Sequence, residues 1–324
     1  MKNNDLAAPP KMDFPFASII VPVFNGEKSI SKCIESLLSQ DYPTDRYEII
    51  VVDNDSNDRT GKIIQEHPVR YVLENRSQSS YSSRNAGVGW SKGDALVFFD
   101  ADQVADKNLL KELLKFWEHS GYGAFGGREI NVLPNSPIFE HSFHVPMETP
   151  MKGDFVVLGA GCAAYRKNVF ETLGGFDETF ASQGDLDLAV LLQKRLGLGI
   201  KYNFDAVFFH MQPRTSLLAL WKKESRLGFG YCRVGAKHPE IKKVLPLWMF
   251  QVIERTVLGF MAFVYGTVKP LHGLSRKQHL QKILLDTFLG WGYLSGMMWY
   301  HLGARRCGDL PLGTNSGKKR DFLR

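Results

Sequence analysis

Four acidic positions combine the residue type and the spacing needed to handle an activated anionic substrate: Asp53, Asp100, Asp102 and Asp185. Asp100-Ala101-Asp102 closes the apolar run ALVFFD, and two carboxylates one residue apart at a strand exit can reach a hard cation and the phosphates or sugar it bridges. A lone D-x-D is common in loops, so its weight comes from that position. Asp53 ends the run YEIIVVD, where a carboxylate can accept a hydrogen bond from a base N–H or a ribose hydroxyl; capping of the next helix is the plain alternative. Asp53-Asn54-Asp55-Ser56-Asn57-Asp58 is no calcium loop, because its sixth position is Asp and its twelfth, Ile64, cannot ligate. Asp185, in GDLDLAV, falls near a helix N-terminus, whose dipole keeps it ionised and fit to be a general base; here too capping is the alternative, and Asp187 then points elsewhere. Arg84 puts a permanent cation near the same crevice, suited to a diphosphate or to shielding the acidic pair, unless it is a surface arginine. His210 closes the run VFFH and could contact metal or phosphate, though a lone histidine is more often structural.

These side chains need a scaffold that presents strand ends along one edge. From Ser18 short apolar runs alternate with amphipathic stretches, the pattern of β-α-β units on a largely parallel sheet. Strands are predicted at Ser18–Val23, Tyr47–Asp53, Val69–Leu73 and Ala95–Asp100. Helices are predicted at Ser29–Gln40, Asp58–Glu66, Ser80–Trp90 and Lys107–His119, the last with Leu109, Leu110, Leu113, Leu114 and Trp117 on one face. Beyond these the alternation decays. Tyr122–Val132, Phe155–Leu158 and Ile200–Phe209 read as extended, and Val169–Leu173 and Asp185–Leu196 as helical. Both glycine patterns are set aside as dinucleotide fingerprints. Gly121–Gly126 follows a helix rather than a strand, and Gly159–Ala164 has no β-α-β unit closing behind it. There is no P-loop motif.

Composition narrows the classes further. With 324 residues and 44% hydrophobic content the chain can bury a core, which excludes disordered and collagen-like classes. The cysteines, Cys33, Cys162, Cys232 and Cys307, form no C-x-x-C pair, so neither a zinc knuckle nor a disulfide framework is indicated and a reducing compartment fits. The N-terminus lacks the apolar run of a secretory signal, so the first half is expected on the synthesis side of any membrane. Charge is unevenly divided: residues 1–200 hold 20 basic and 27 acidic side chains, residues 201–324 hold 20 and 7. The basic end calls for an anionic partner, which by charge alone nucleic acid or phospholipid could supply; the apolar segments that follow turn the expectation to an anionic membrane surface and no nucleic acid. Residues 244–268 and 283–304 are largely apolar and each is long enough to cross a ~30 Å hydrocarbon layer. Glu254 and Arg255 inside the first, and Trp248, Trp291, Tyr293, Trp299 and Tyr300, suit an interfacial or re-entrant position better than two spans; ordinary buried helices are the third reading.

In order along the chain, SIIVPVFNGEKSISKCIESLLSQ, YEIIVVDNDSNDRT, SSRNAGV, ALVFFDADQ, LGGFDETF and GDLDLAVLLQKRLG resemble the family 2 glycosyltransferases of GT-A type, from about Ser18 to Tyr231. The resemblance implies a GT-A Rossmann-like fold, a mixed, largely parallel α/β sheet flanked by helices, with a C-terminal helical membrane-associating region. By the same resemblance Pro22, Phe24, Asn25 and Glu27 line a nucleotide pocket and Asp53 holds the base. Asp100 and Asp102 serve donor and metal, with Asp102 the metal ligand, and Asp185 is the catalytic base; Arg84 on the donor and His210 on the metal follow instead from their own positions at the crevice and strand exit. Phe24 stands where Tyr is common, and Gly184 replaces the Glu that usually precedes the base.

The regions then expected are a flexible tail over 1–17, the catalytic domain over 18–231, a hydrophobic and basic helical region over 232–306, and a basic polar tail over 307–324. The activity implied is inverting transfer of a sugar from a nucleoside-diphosphate donor to a hydroxyl of a lipid-linked glycan or other membrane-borne acceptor. It would be assisted by Mg2+ or Mn2+, at the cytoplasmic side of a membrane. Two alternatives share the pocket: a catalytically silent sugar-nucleotide-binding membrane scaffold, and a sugar nucleotidyltransferase.

Overall fold

Alternate residues of each central strand face opposite layers, and this partition builds the core. The computed structural model describes residues 14–131, 151–152, 154–210, 216–244 and 276–302. Strands β1 (Ala17–Val23), β2 (Tyr47–Asp53), β3 (Arg70–Leu73) and β4 (Ala95–Phe99) alternate with helices α1 (Ile30–Leu38), α2 (Thr60–Gln65) and α3 (Ser80–Trp90). Ile20, Ile50, Val52, Leu96 and Phe98 point to one face, packed with Tyr81 of α3 and Phe170 and Phe176. Ile19, Val21, Val51, Val97 and Phe99 point to the other, packed with Ile34 and Leu37 of α1 and Ile64 of α2. Both faces are therefore buried, which is why these strands read as continuous apolar runs.

After β4 come β5 (Gln103–Ala105), α4 (Leu109–Leu113), β6 (Tyr122–Asn131), the short β7 (Met151–Lys152) and β8 (Phe155–Val156), β9 (Cys162–Arg166), α5 (Lys167–Leu173), α6 (Gly184–Leu196) and β10 (Gly199–His210). The main sheet has eight strands in the order β3-β2-β1-β4-β9-β6-β10-β5. β1 pairs in parallel with β2 and β4, so Asp53 and Asp100 leave the sheet at the same edge. β9 lies antiparallel between β4 and β6, and β5 antiparallel against β10. Neither β5 nor β9 is among the expected strands; β9 is the segment entered through Gly159-Ala160-Gly161. The helix expected over Lys107–His119 is α-helical only at α4. Its continuation tightens into i→i+3 bonds from Lys115 to Glu112 and Trp117 to Leu114, while Leu109, Leu110, Leu113 and Leu114 remain buried as anticipated.

The C-terminal part adds α7 (Leu217–Lys237), a 3-10 turn at Pro239–Val244, and α8 (Arg276–His301). α7 runs unbroken through residue 231, the expected end of the catalytic domain. α8 lies parallel to it, with Trp221 against Phe288 and Phe229 against Tyr300 at ring-centroid distances of 5.0 and 5.6 Å. Backbone contact sets their spacing: a Cβ on Gly296 would fall 1.7 Å from the Ser225 carbonyl oxygen. Tyr293 and Met297 join the main core, so this half of the second apolar segment is packed on protein. Apart from Val244, the first apolar segment (244–268) lies outside the described residues. Among the described residues no helix is long and apolar enough to cross a membrane.

Candidate active site

The carboxyl-edge loops after β1 and β2 are laced together by their own polar groups. Asn25, at φ 52°, donates its N–H to Ser56 Oγ at 2.9 Å and accepts from Asn57 N–H through Oδ1 at 2.9 Å. Gly26 N–H donates to Thr60 Oγ1, Glu27 N–H to Asp58, and Arg59 returns to Glu27 Oε2 at 3.3 Å. Asp53 is 3% exposed; its Oδ1 accepts from Ser56 N–H at 3.0 Å and its Oδ2 from the Tyr71 hydroxyl at 3.2 Å. It therefore shapes this loop first, with further lone pairs on each oxygen. Pro22 is buried within β1, whereas Phe24 is 41% exposed on the loop. Asp58, one residue before the N-cap of α2, accepts the Thr60 N–H; burial opposes its ionisation, but the bonds from Thr60 and Glu27 outweigh burial and hold it below the usual carboxylate range.

The second half of the site gathers around the β9 entry. Arg84 on α3, 5% exposed, sends Nη2 to Asp100 Oδ1 at 2.5 Å and to the Ala160 carbonyl at 3.4 Å. Asp100 N–H in turn bonds the Gly161 carbonyl. Burial, then Asp102 and Asp185, raise the Asp100 carboxyl above its ordinary value against the pull of Arg84. On the other side of the same loop, Ala160 N–H donates to Asp185 Oδ2 at 3.2 Å. Asp185 Oδ1 accepts from the Tyr81 hydroxyl at 3.3 Å and from Leu186 N–H at 3.1 Å. Asp100 and Asp185, distant in sequence, are thus joined through two residues, Arg84 and Ala160. Asp187 points the other way as expected, buried against Lys237 at 2.8 Å and His238 at 2.7 Å, and so ties α6 to the end of α7.

Pairing of β5 with β10 sets Gln103 opposite His210 and brings Asp102 to it. His210 Nε2 lies 3.0 Å from Asp102 Oδ2, and its Nδ1 lies 3.2 Å from Glu129 Oε1. The bonds to Asp102 and Glu129 raise the imidazole to about 10 against burial, so it is cationic at neutral pH. Gln103 is 4% exposed and its Oε1 has no hydrogen-bond partner among the described residues.

All ten residues singled out from sequence fall on the carboxyl edge of the sheet or on the loops and helix ends that flank it. Arg84, Asp100 and Asp185 form one connected group, Asp102 and His210 a second, and Asn25, Glu27 and Asp53 a third. Sequence reasoning missed Tyr81, Ala160, Gln103 and Glu129. Tyr81 was within reach, three positions before Arg84 and so on the same helical face; nothing local marks the others.

A Rossmann-like half-sheet in 3-2-1-4 order, extended by mixed strands and carrying acidic groups at one edge, is the architecture of the GT-A fold. Residues 18–174, just under half of the chain, match the family model described as glycosyl transferase family 2. It is 28% identical to glycosyltransferase AglE of Haloferax volcanii over 273 residues, covering 81% of this chain and 84% of that protein. It is 26% identical to the beta-monoglucosyldiacylglycerol synthase of Synechocystis sp. over 256 residues, covering 71% of this chain and about half, 52%, of that enzyme. Its fold superposes on the mannosyltransferase PcManGT from Pyrobaculum calidifontis, solved in complex with GDP-Man and Mn2+. The TM-score is 0.63 at 18% identity, covering 91% of this chain and 89% of that one.

Proposed function

We propose that this glycosyltransferase moves a sugar from a nucleoside-diphosphate donor to a hydroxyl of a lipid-linked glycan or other membrane-borne acceptor, by direct displacement with inversion. The observation that carries this reading is the junction at Ala160, which ties the Arg84–Asp100 pair to Asp185 on one sheet edge. The acceptor oxygen attacks the anomeric carbon as the bond to the diphosphate breaks. Its proton passes to Asp185, and the negative charge leaves with the nucleoside diphosphate. Arg84 and Asp100 orient the donor sugar and diphosphate. The loops bearing Pro22, Phe24, Asn25 and Glu27, shaped by Asp53, receive the nucleoside.

The residues fit a divalent cation, Mg2+ or Mn2+. The proton shared between His210 Nε2 and Asp102 Oδ2, which lie 3.0 Å apart, would give way to the cation, and the buried Gln103 Oε1, without a partner among the described residues, is a further hard oxygen on the strand register opposite His210. Among the described residues no three acidic, histidine or cysteine side chains form a ready cage, so diphosphate oxygens would complete the shell. When bound, such an ion offsets the charge on the departing diphosphate.

A membrane-borne acceptor is supported by the basic, apolar C-terminal third and by exposed Leu217 and Leu218 on α7 and Trp291 and Met298 on α8. The relative named for synthesis of a glucosylated diacylglycerol points the same way. Thermal stabilisation by a panel of UDP-, GDP- and dTDP-sugars with Mn2+ should single out one donor and vanish with chelator. Asp185→Asn should keep that stabilisation and lose turnover on the order of 10²- to 10⁴-fold. Wild-type turnover by Asp185→Asn would remove the base from the scheme. Flotation with anionic liposomes should require residues 244–306, and a full-length chain with no lipid affinity would end the membrane part.

A further inference from the structure

Asp185 rests against a phenol to which the proposed reaction assigns no part. Tyr81 is 7% exposed on α3, its ring 5.4 Å from that of Phe176 and with the Arg84 guanidinium 5.8 Å above it. Its oxygen accepts the Gly184 N–H at 2.9 Å and its O–H donates to Asp185 Oδ1 at 3.3 Å. The second bond is longer than the ~2.7–2.8 Å typical of hydroxyl donors. Burial first, then the Asp185 carboxylate, push the phenol well above its ordinary value, so it remains a donor at neutral pH.

The room for this ring comes from residue 184. A Cβ there would lie 2.9 Å from Tyr81 Cε2 and 3.0 Å from Cζ, closer than side-chain carbons pack. The backbone turns into α6 just before, at Gln183 with φ 63°, so Gly184 and Asp185 form the first turn of the helix and Tyr81 grips both. The other two groups on the carboxylate, Leu186 N–H and Ala160 N–H, belong to the backbone. Tyr81 is the one side chain that contacts the Asp185 carboxylate through a hydrogen bond among those described.

We propose that Tyr81 is a positioning residue for Asp185: its hydroxyl pins the first turn of α6 and holds the carboxylate in one orientation, and glycine at 184 is what admits it. This role rests on Asp185 being the base. A fixed carboxylate contributes to the displacement step and not to donor capture, so its loss is read in kcat rather than KM.

The test uses the full chain with the donor selected by thermal stabilisation and Mn2+. Tyr81→Phe should lower kcat on the order of 10-fold, the worth of one hydrogen bond to a charged group, with donor KM within about twofold. In an Asp185→Asn background it should cost nothing further. Amide hydrogen exchange at residues 184–186 should quicken in Tyr81→Phe while the sheet stays protected, a readout independent of turnover. Gly184→Ala, which drives the ring off, should repeat the kcat loss. Unchanged kcat and unchanged exchange in Tyr81→Phe, beside an inactive Asp185→Asn, would overturn the role of Tyr81 alone. An Asp185→Asn variant as fast as wild type would instead overturn the base and this role with it.

Discussion

The Arg84–Asp100 ion pair should break asymmetrically. Arg84 is 5% exposed, whereas Asp100 is 37% exposed, so water can take over from one partner far better than from the other. Asp100→Asn leaves a buried guanidinium with only neutral acceptors, the amide oxygen of the new side chain and, at 3.3 and 3.4 Å, the Ser80 and Ala160 carbonyls. An uncompensated buried charge costs about 3–5 kcal/mol, and these neutral acceptors place the variant near the lower end, about 3 kcal/mol. Arg84→Met keeps the packing against Tyr81 and Phe176 and leaves a carboxylate that water or a proton can satisfy, a loss of about 1 kcal/mol. At roughly 2–4 °C per kcal/mol the melting temperature should fall by about 6–12 °C for Asp100→Asn and by about 2–4 °C for Arg84→Met. Urea denaturation followed by circular dichroism should show the same order as a shift in midpoint at constant slope. The double variant should be more stable than Asp100→Asn alone, because the stranded charge is gone. Equal losses, or a larger loss for Arg84→Met, would refute the claim that a stranded guanidinium, which cannot shed its charge, costs more than a stranded carboxylate, which can take up a proton.

Gly296→Ala should separate α7 from α8, since the new Cβ meets the Ser225 carbonyl. A loss of about 3 kcal/mol or more is expected, with early proteolytic cleavage of the C-terminal part, and unchanged melting would contradict the close helix contact. Asp187→Ala leaves the buried His238 without its acceptor at the end of α7, while Lys237 keeps Asp177, and should cost about 2–3 kcal/mol in urea titration, whereas the exposed Asp41→Ala, which loses only its pair with Lys111, should cost under about 1 kcal/mol. Acid should destabilise the chain through carboxyls held low in the fold: Asp177, where burial is outweighed by Thr179 and Lys237, and Asp58. A lowered carboxyl adds stability above its unfolded value, about 4, and loses it as pH falls through the folded value. The urea midpoint should therefore hold from pH 7 to 5 and drop below about 4, less steeply in Asp177→Asn; a midpoint that rises on acidification would reverse the sign.

The first four strands were legible because each is a local pattern: SIIVPV and EIIVVD are runs of branched residues buried on both faces, bounded by turn residues. β9 was not, since Cys162-Ala163-Ala164-Tyr165-Arg166 is short, built of small residues and introduced by glycines that suggest a loop. Its place depends on pairing with β4 and β6, which no local window contains. β5 is three residues long and exists through its pairing with β10, yet it is what delivers Asp102 to His210.

By itself the sequence determined which side chains lie at strand and helix ends, because periodicity and turn residues are read within about ten positions. It determined the charge division and the candidate acids as well. Only the tertiary structure decided which of them meet: Tyr81 and Asp185 are 104 residues apart, and their contact follows from α3 and α6 packing on the same face of the sheet. Such contacts are chosen by strand order and by room for a ring where a Cβ is missing, and neither quantity is present in any stretch of chain until the sheet has closed around it.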